Sequence, residues 1–190
     1  MTDKNIEMLK ENLRKEMFEN LRAQAPSLRG ERSGKIQKKL ISGEDFQKAK
    51  TVMSYVAMAT EVDTGYINAM TLEMGKRLVV PFIESESQTI VASELRSLDN
   101  LVRGPLGIYV PKDGLDSKVT VEEIDIILVP GIAFDRNNVR LGRGKGYYDR
   151  FLAGVSLFFP KTIGLAFQFQ IVDTIPADTH DIKLSTVVSD

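Results

Sequence analysis

Apolar residues recur at three- and four-residue spacing along the start of the chain: Ile6, Leu9, Leu13, Met17 and Leu21. That period is the buried stripe of an amphipathic helix. We place the helix from a cap at Thr2 or Asp3 to about Gln24, with Pro26 ending it. Ser27 opens a second helix to about Ile41, stopped by Gly43. A short helix is expected over 44–49. From residue 51 the pattern changes. TVMSYVAM, 51–58, is a near-continuous apolar run of strand length. A helix is expected over 64–74, with Gly75 where a cap glycine would stand. Strands RLVVPF (77–82) and QTIVAS (88–93) follow. Residues 103–117 carry Gly and Pro at short intervals and read as an ordered loop. IDIILVP, 124–130, is the strongest strand in the chain. A helix from about 145 to 152 and strands KTIGLAF (161–167) and LSTVV (184–188) complete the reading.

Strands alternating with helices imply a single α/β domain over residues 1–190. The expected architecture is Rossmann-like and three-layered, a largely parallel sheet flanked by helices. The chain shows no internal repeat, low-complexity tract or linker. In such sheets ligands bind beyond the carboxyl ends of strands. The loop after 124–130 is therefore the first place to look.

Composition narrows the chemistry. Lys and Arg number 25 and Asp and Glu 26, for a net charge of -1. This balance argues against a bulk nucleic-acid or membrane binder, so any basic site is a local cluster. There is no cysteine and one histidine, His180. Disulfides, thiolate metal sites, cysteine nucleophiles and multi-histidine metal sites are excluded. No apolar run approaches the roughly 20 residues of a membrane helix. The N-terminus alternates charged with apolar residues and lacks the apolar core of a signal peptide. We read a cytoplasmic protein.

The local cluster lies after the strongest strand, in PGIAFDRNNVRLGRGKGYYDRF. Residues 135–150 hold Arg136, Arg140, Arg143, Lys145 and Arg150 against two acids, Asp135 and Asp149. Gly142, Gly144 and Gly146 alternate with Arg143 and Lys145. Glycine lets the backbone approach a ligand and aim successive N–H groups at it. Arginine adds a fork that grips phosphate oxygens, and a helix start would add a favourable dipole. The spacing is neither a Walker loop nor a Rossmann dinucleotide fingerprint. From the residues alone this is an anion-binding loop suited to a polyphosphate, with a glycine-rich turn carrying solvated charges as the plainer alternative.

The order P-G-I-A-F-D-x-x-x-x-R-L-G-R-G-K-G-Y-Y-D-R resembles the signature of the 5-formyltetrahydrofolate cyclo-ligase family. The resemblance implies that Arg140, Leu141, Gly142, Arg143, Gly144, Lys145, Gly146, Tyr147 and Tyr148 bind ATP. It implies that Arg143 to Tyr147 also reach the folate substrate. Arg143 and Lys145 would be catalytic, and Asp149 a magnesium ligand.

Other segments fit the same family. A basic pair four residues apart on the family's first helix contacts ATP, and Lys10 and Arg14 match it. At about 100° per residue Lys10 falls within the arc of Leu9, Leu13 and Leu21, and Arg14 at its edge. An inward cation needs an anionic partner. T-E-V-D-T, 60–64, is similar to the family's substrate segment, with Glu61 as its acid and Val56 as an apolar contact. A carboxylate can accept paired donors from an aminopyrimidinone ring. Ile108 and Tyr109 fall where the family places residues near the folate. I-P-A-D-T-H-D-I-K-L-S resembles the closing motif, whose second magnesium-linked carboxylate matches Asp181, with His180 beside it. Ser185 stands where the family often has an Asp.

The resemblance implies ATP- and Mg2+-dependent closure of 5-formyltetrahydrofolate, polyglutamylated or not, to 5,10-methenyltetrahydrofolate, with release of ADP and phosphate, by a monomer without nucleic-acid or membrane partners. Two alternatives stay open at this point. One is a homologue that binds folate or nucleotide without turnover. The other is an RNA-binding module using the basic, aromatic loop.

Overall fold

The computed structural model describes residues 3–84, 87–104, 107–155, 160–176 and 181–190. The expected Thr2 cap and His180 lie outside them. The chain opens with three helices: α1 (Asp3–Ala23), α2 (Pro26–Ser42) and α3 (Glu44–Lys48). Pro26 stands at the first turn of α2, where its missing N–H costs nothing. Strand β1 (Thr51–Met53) is followed by α4 (Gly65–Glu73), β2 (Arg77–Glu84) and β3 (Thr89–Glu94). The expected loop over 103–117 contains part of a small hairpin, β4 (Leu101–Arg103) and β5 (Tyr109–Pro111). Then come β6 (Ile126–Val129), β7 (Ala133–Asp135), β8 (Arg140–Leu141), α5 (Tyr147–Leu152), β9 (Lys161–Ala166), β10 (Ile171–Val172) and β11 (Thr186–Ser189).

The main sheet runs β11-β9-β6-β1-β2-β3, and every pairing is parallel except β2 with β3. Alternate residues of the central strands supply two cores. Val52, Ile126, Leu128, Ile163 and Leu165 meet Met17 and Leu21 of α1, Ile36 and Leu40 of α2, Phe46 of α3 and Ile67 of α4. Met53, Ile127, Val129 and Ala166 face the other way, onto Phe134 and onto Leu152 of α5. The run IILV is buried throughout because both of its faces are covered.

Two departures from the sequence pattern matter for the site. The expected strand over 51–58 pairs only to Met53. Ser54 N still donates to Val79 O at 2.8 Å, but Tyr55 O then accepts from Thr64 Oγ1 and Asn68 Nδ2. The backbone is satisfied by the start of α4 instead of a neighbouring strand, and the chain turns out of the sheet. On α1, Met17 and Leu21 are buried and Ile6 and Leu13 half-buried, but Leu9 is exposed. In this part of α1, Lys10 reaches Asp181 and Arg14 reaches Gly142 O. Lys10 takes the inward position there, 4% exposed.

From β1 the chain works outward to β2 and β3, then returns to place β6 on the other side of β1. The order reverses between β1 and β6. The crevice beyond the carboxyl ends of those two strands is where a ligand fits an open α/β sheet.

Candidate active site

The segment after β1 and the long excursion after β6 meet at that reversal. Between them lies a cavity of about 610 Å³, within the range of small-molecule sites. Its lining is mostly apolar. Val56 and Met58 come from the first segment, and Phe82, Ile83 and Ile90 from the β2–β3 hairpin. Ile108 and Tyr109 come from the β4–β5 hairpin. Glu61, Arg140, Gly142, Arg143, Lys145, Gly146, Tyr147, Tyr148 and Asp149 bring the polar chemistry.

The excursion is held as a rigid piece. Strands β7 and β8 pair antiparallel, and β10 adds to β7. Buried Asp135 accepts from the N–H groups of Asn137, Val139 and Ile175. Gln170 Nε2 donates to Gly131 O and Ile132 O, both at 2.9 Å. Phe134 packs against Gly131 and Gly164, where an added Cβ would come within 2.5 and 2.6 Å of its ring. The glycine-rich loop therefore starts from a fixed base.

Arg140 leaves that base inward, its side chain 4% exposed. Nη2 donates to Asp149 Oδ1 at 2.5 Å and Nη1 to Pro130 O at 3.2 Å. Its guanidinium lies 5.7 Å from the centre of the Tyr148 ring, a cation–π distance. An added Cβ at Gly142 would stand 2.8 Å from Arg140 Nη1, so glycine is what lets the arginine sit there. Gly144 (φ 93°) and Gly146 (φ 65°) lie in the left-handed region that glycine tolerates. Among the described residues, Arg140 Nε and Tyr148 Oη are buried without a hydrogen-bond partner. Such orphans are rare in folded proteins. Burial, reinforced by the Glu61 charge and opposed by Arg140, pushes the Tyr148 hydroxyl far above the ordinary tyrosine range. Burial does the same to Tyr55, whose hydroxyl donates to Val62 O. Both stay protonated donors at neutral pH.

Arg143 lines the cavity and reaches the segment after β1. Nε and Nη2 both donate to Glu61 Oε1, and Nη2 also to Thr60 Oγ1. Glu61 Oε2 accepts from Met58 N at 2.9 Å. The Arg143 guanidinium lies 5.2 Å from the centre of the Phe18 ring on α1. Phe18 escaped the sequence reading because it looks like one more helix apolar residue. The pocket roles of Tyr55, Met58 and Phe82 escaped it too, since each sits in a run that reads as core strand.

Lys10 and Arg14 do not line the cavity. Lys10 Nζ pairs with Asp181 Oδ2 at 2.7 Å, the anionic partner its inward position demanded. Arg14 Nε donates to Gly142 O at 3.1 Å, and its guanidinium lies beside Gly144. This second cluster backs the glycine loop from the α1 side. Leu141 pairs with Ala133 of β7 and is buried in the core. The six-residue α5 adds less dipole than the sequence suggested.

A hard cation carried by phosphate groups needs one or two protein carboxylates and fills its shell with phosphate and water. Asp149 meets that demand, since it borders the cavity. Asp181 stands with Lys10 outside the lining. Among the described residues, no group of three His, Cys, Asp or Glu side chains gathers to hold a metal alone. Among the described residues, no helix is long and apolar enough to cross a membrane.

Comparison with known proteins supplies a family for this geometry. A sequence profile of the 5-formyltetrahydrofolate cyclo-ligase family matches residues 6–190. The 5-formyltetrahydrofolate cyclo-ligase of Mus musculus is 31% identical, covering 96% of this chain and 94% of its own. A probable 5-formyltetrahydrofolate cyclo-ligase of Caenorhabditis elegans is 35% identical over 80% of this chain and 79% of its own. The solved structure of Aquifex aeolicus 5,10-methenyltetrahydrofolate synthetase superposes with a TM-score of 0.83 at 34% identity, covering 95% of this chain and 89% of that one. The corresponding protein of Mycoplasma pneumoniae gives 0.76 at 25% identity, over 95% and 98%.

Proposed function

This chain belongs to the 5-formyltetrahydrofolate cyclo-ligase family, and we propose that it closes 5-formyltetrahydrofolate to 5,10-methenyltetrahydrofolate at the expense of ATP, as one catalytic domain over residues 1–190. The observation that carries the reading is the cavity itself. A mostly apolar cavity with one largely enclosed carboxylate, Glu61, meets a glycine loop bearing Arg140, Arg143 and Lys145. The cavity suits a reduced pterin and the loop a polyphosphate.

The formyl group on folate is an amide, and its oxygen leaves poorly. In the proposed sequence that oxygen attacks the terminal phosphorus of ATP. An O–P bond forms, the bridging P–O bond breaks, and ADP departs. The neighbouring aryl-amine nitrogen then attacks the activated carbon and loses its proton. The C–O bond breaks, phosphate leaves, and the methenyl bridge remains.

No protein nucleophile is needed; positioning and charge neutralisation suffice. Glu61 accepts the paired N–H donors of the pterin ring. Val56 and the hairpin side chains Phe82 and Ile83 hold its faces and exclude water. Arg143 reaches from the glycine loop to Glu61, placed to move from the carboxylate to the phosphoryl group. Lys145 neutralises the transferring phosphate, and the backbone N–H groups of Gly142, Gly144 and Gly146 add fixed donors. Lys10 and Arg14 steady the loop and extend its positive field. Magnesium, held by Asp149 at the cavity wall, would add charge neutralisation at the phosphates, while Asp181, paired with Lys10 outside the lining, would act behind it. Arg140 orients Asp149 for that task.

The test is an absorbance assay of the purified protein with 5-formyltetrahydrofolate, ATP and magnesium, with ADP release followed in parallel. Methenyl product that requires all three establishes the activity. Binding of ATP and folate without product would instead identify a homologue that has lost turnover.

A further inference from the structure

We propose that Arg150 is a positioning residue that spans the two walls of the cavity and sets the gap between them. The inference rests on the cyclo-ligase reading and adds a residue to it. Arg150 ends the basic run, and its charge alone suggests a phosphate contact. Its geometry assigns it elsewhere. Nη1 donates to Lys145 O at 3.1 Å, and Nη2 donates to Gln88 O at 2.9 Å. The same guanidinium stacks over Tyr147, 5.3 Å from the ring centre. Arg150 is exposed and does not line the cavity, whereas Gln88, Lys145 and Tyr147 all do.

The two carbonyls belong to different walls. Gln88 leads into β3, whose hairpin with β2 supplies Phe82, Ile83 and Ile90. Lys145 belongs to the glycine loop. Gln88 has φ 52°, a left-handed backbone held by a residue with a side chain. Such a conformation persists where its surroundings hold it, and here the Arg150 fork holds its carbonyl. Gly146 completes the device: an added Cβ there would lie 2.9 Å from Arg150 Nη1. A planar fork reaches two carbonyls at a set separation, which a lysine ammonium on a flexible stem does not reproduce. A nucleotide that orders the glycine loop therefore also orders the hairpin, and the folate slot tightens.

The experiment compares wild type with Arg150→Lys and Arg150→Ala. Steady-state KM is measured for each substrate. Amide hydrogen exchange over residues 87–91 is measured with and without magnesium and a non-hydrolysable ATP analogue. Both variants should raise the folate KM about tenfold, as expected for two lost charge-assisted hydrogen bonds, with the ATP KM little changed. The analogue should slow exchange at 87–91 in the wild type and not in the variants. If the alanine variant fails to fold, the lysine variant carries the test. A wild-type folate KM and retained nucleotide protection in Arg150→Lys would overturn the proposal. So would a rise in the ATP KM alone that lysine restores, since that is the behaviour of a phosphate contact. A wild-type protein that makes no product would remove the cyclo-ligase reading and this inference with it. An active wild type with unaffected variants overturns this inference alone.

Discussion

Arg143 places two donors, Nε at 3.3 Å and Nη2 at 3.1 Å, on the same Oε1 atom of Glu61, joining segments that follow β1 and β8. Both residues line the cavity near the reversal point of the sheet. Glu61 is the more enclosed partner, its side chain 9% exposed against 36% for Arg143. In the proposed reaction a ligand that takes Glu61 Oε1 competes with Arg143 for that atom.

Glu61→Gln removes the charge that receives both the arginine and, by proposal, the pterin. A hydrogen bond to a charged group is worth about 1.5–3 kcal/mol. The folate KM should rise at least about tenfold and the ATP KM much less. Steady-state kinetics with each substrate varied would decide it, and an unchanged folate KM would count against the assigned role.

Lys145 is exposed and lines the cavity, so its removal should cost activity and not stability. Lys145→Ala should lower kcat by about a hundredfold or more, with a melting temperature close to that of the wild type. Near-normal turnover from the folded variant would refute the phosphate role.

Gly142 and Arg140 compete for one space. In Gly142→Ala the new methyl would lie 2.8 Å from Arg140 Nη1, and Asp149 and Pro130 hold that guanidinium in place. The arginine must shift, and Asp149 and Tyr148 shift with it. We expect kcat/KM for ATP to fall by about tenfold to a hundredfold. Wild-type kinetics in this variant would show that the Arg140–Asp149 geometry is not needed.

Lys10 and Asp181 form an enclosed ion pair, with side chains 5% and 16% exposed. Breaking such a pair on one side costs more than removing both. Lys10→Met should lower unfolding stability by about 2–4 kcal/mol, and adding Asp181→Leu should restore part of the loss. Urea unfolding of the two single variants and the double variant measures the coupling. Additive losses would mean the pair acts independently.

Tyr148 sets an alkaline limit. Its folded pKa lies above the ordinary value of 10.0 because of burial first and Glu61 second. Above pH 10 the unfolded chain has released a proton that the folded chain retains. Stability is therefore fully present below pH 10 and falls as pH rises beyond it. The slope for this group is at most about 1.4 kcal/mol per pH unit. Tyr148→Phe should show a shallower decline between pH 10 and 11 than the wild type in denaturant titrations. Parallel curves would mean that the hydroxyl reaches water in the folded protein.

Much of the molecule was legible in the chain because its signals are local. The period-3.6 stripe of α1, the apolar runs of β6 and β9 and the alternation of strand with helix all stand in short windows. Together they imply a largely parallel sheet. The glycine and basic positions from Arg140 to Lys145 could be read as an anion loop, since glycine freedom and clustered charge are properties of the residues themselves. Lys10 was legible for a related reason: a charge within an apolar arc must meet a partner.

Other features depend on contacts between distant segments. TVMSYVAM has the composition of a full strand, yet it ends at Met53 because Thr64 and Asn68 offer Tyr55 O another partner. Leu9 fits the helical stripe, yet it is exposed, while Lys10 beside it is buried on Asp181. Arg150 looks like one more phosphate-binding cation until the β2–β3 hairpin brings Gln88 O within reach. Phe18 becomes part of the site only because α1 passes beside Arg143. By itself, the sequence determined which residues could carry the chemistry, through periodicity, backbone freedom and charge. Only the tertiary structure decided which of them share a wall, because the order of strands around β1 and β6 sets distances that no window of sequence contains.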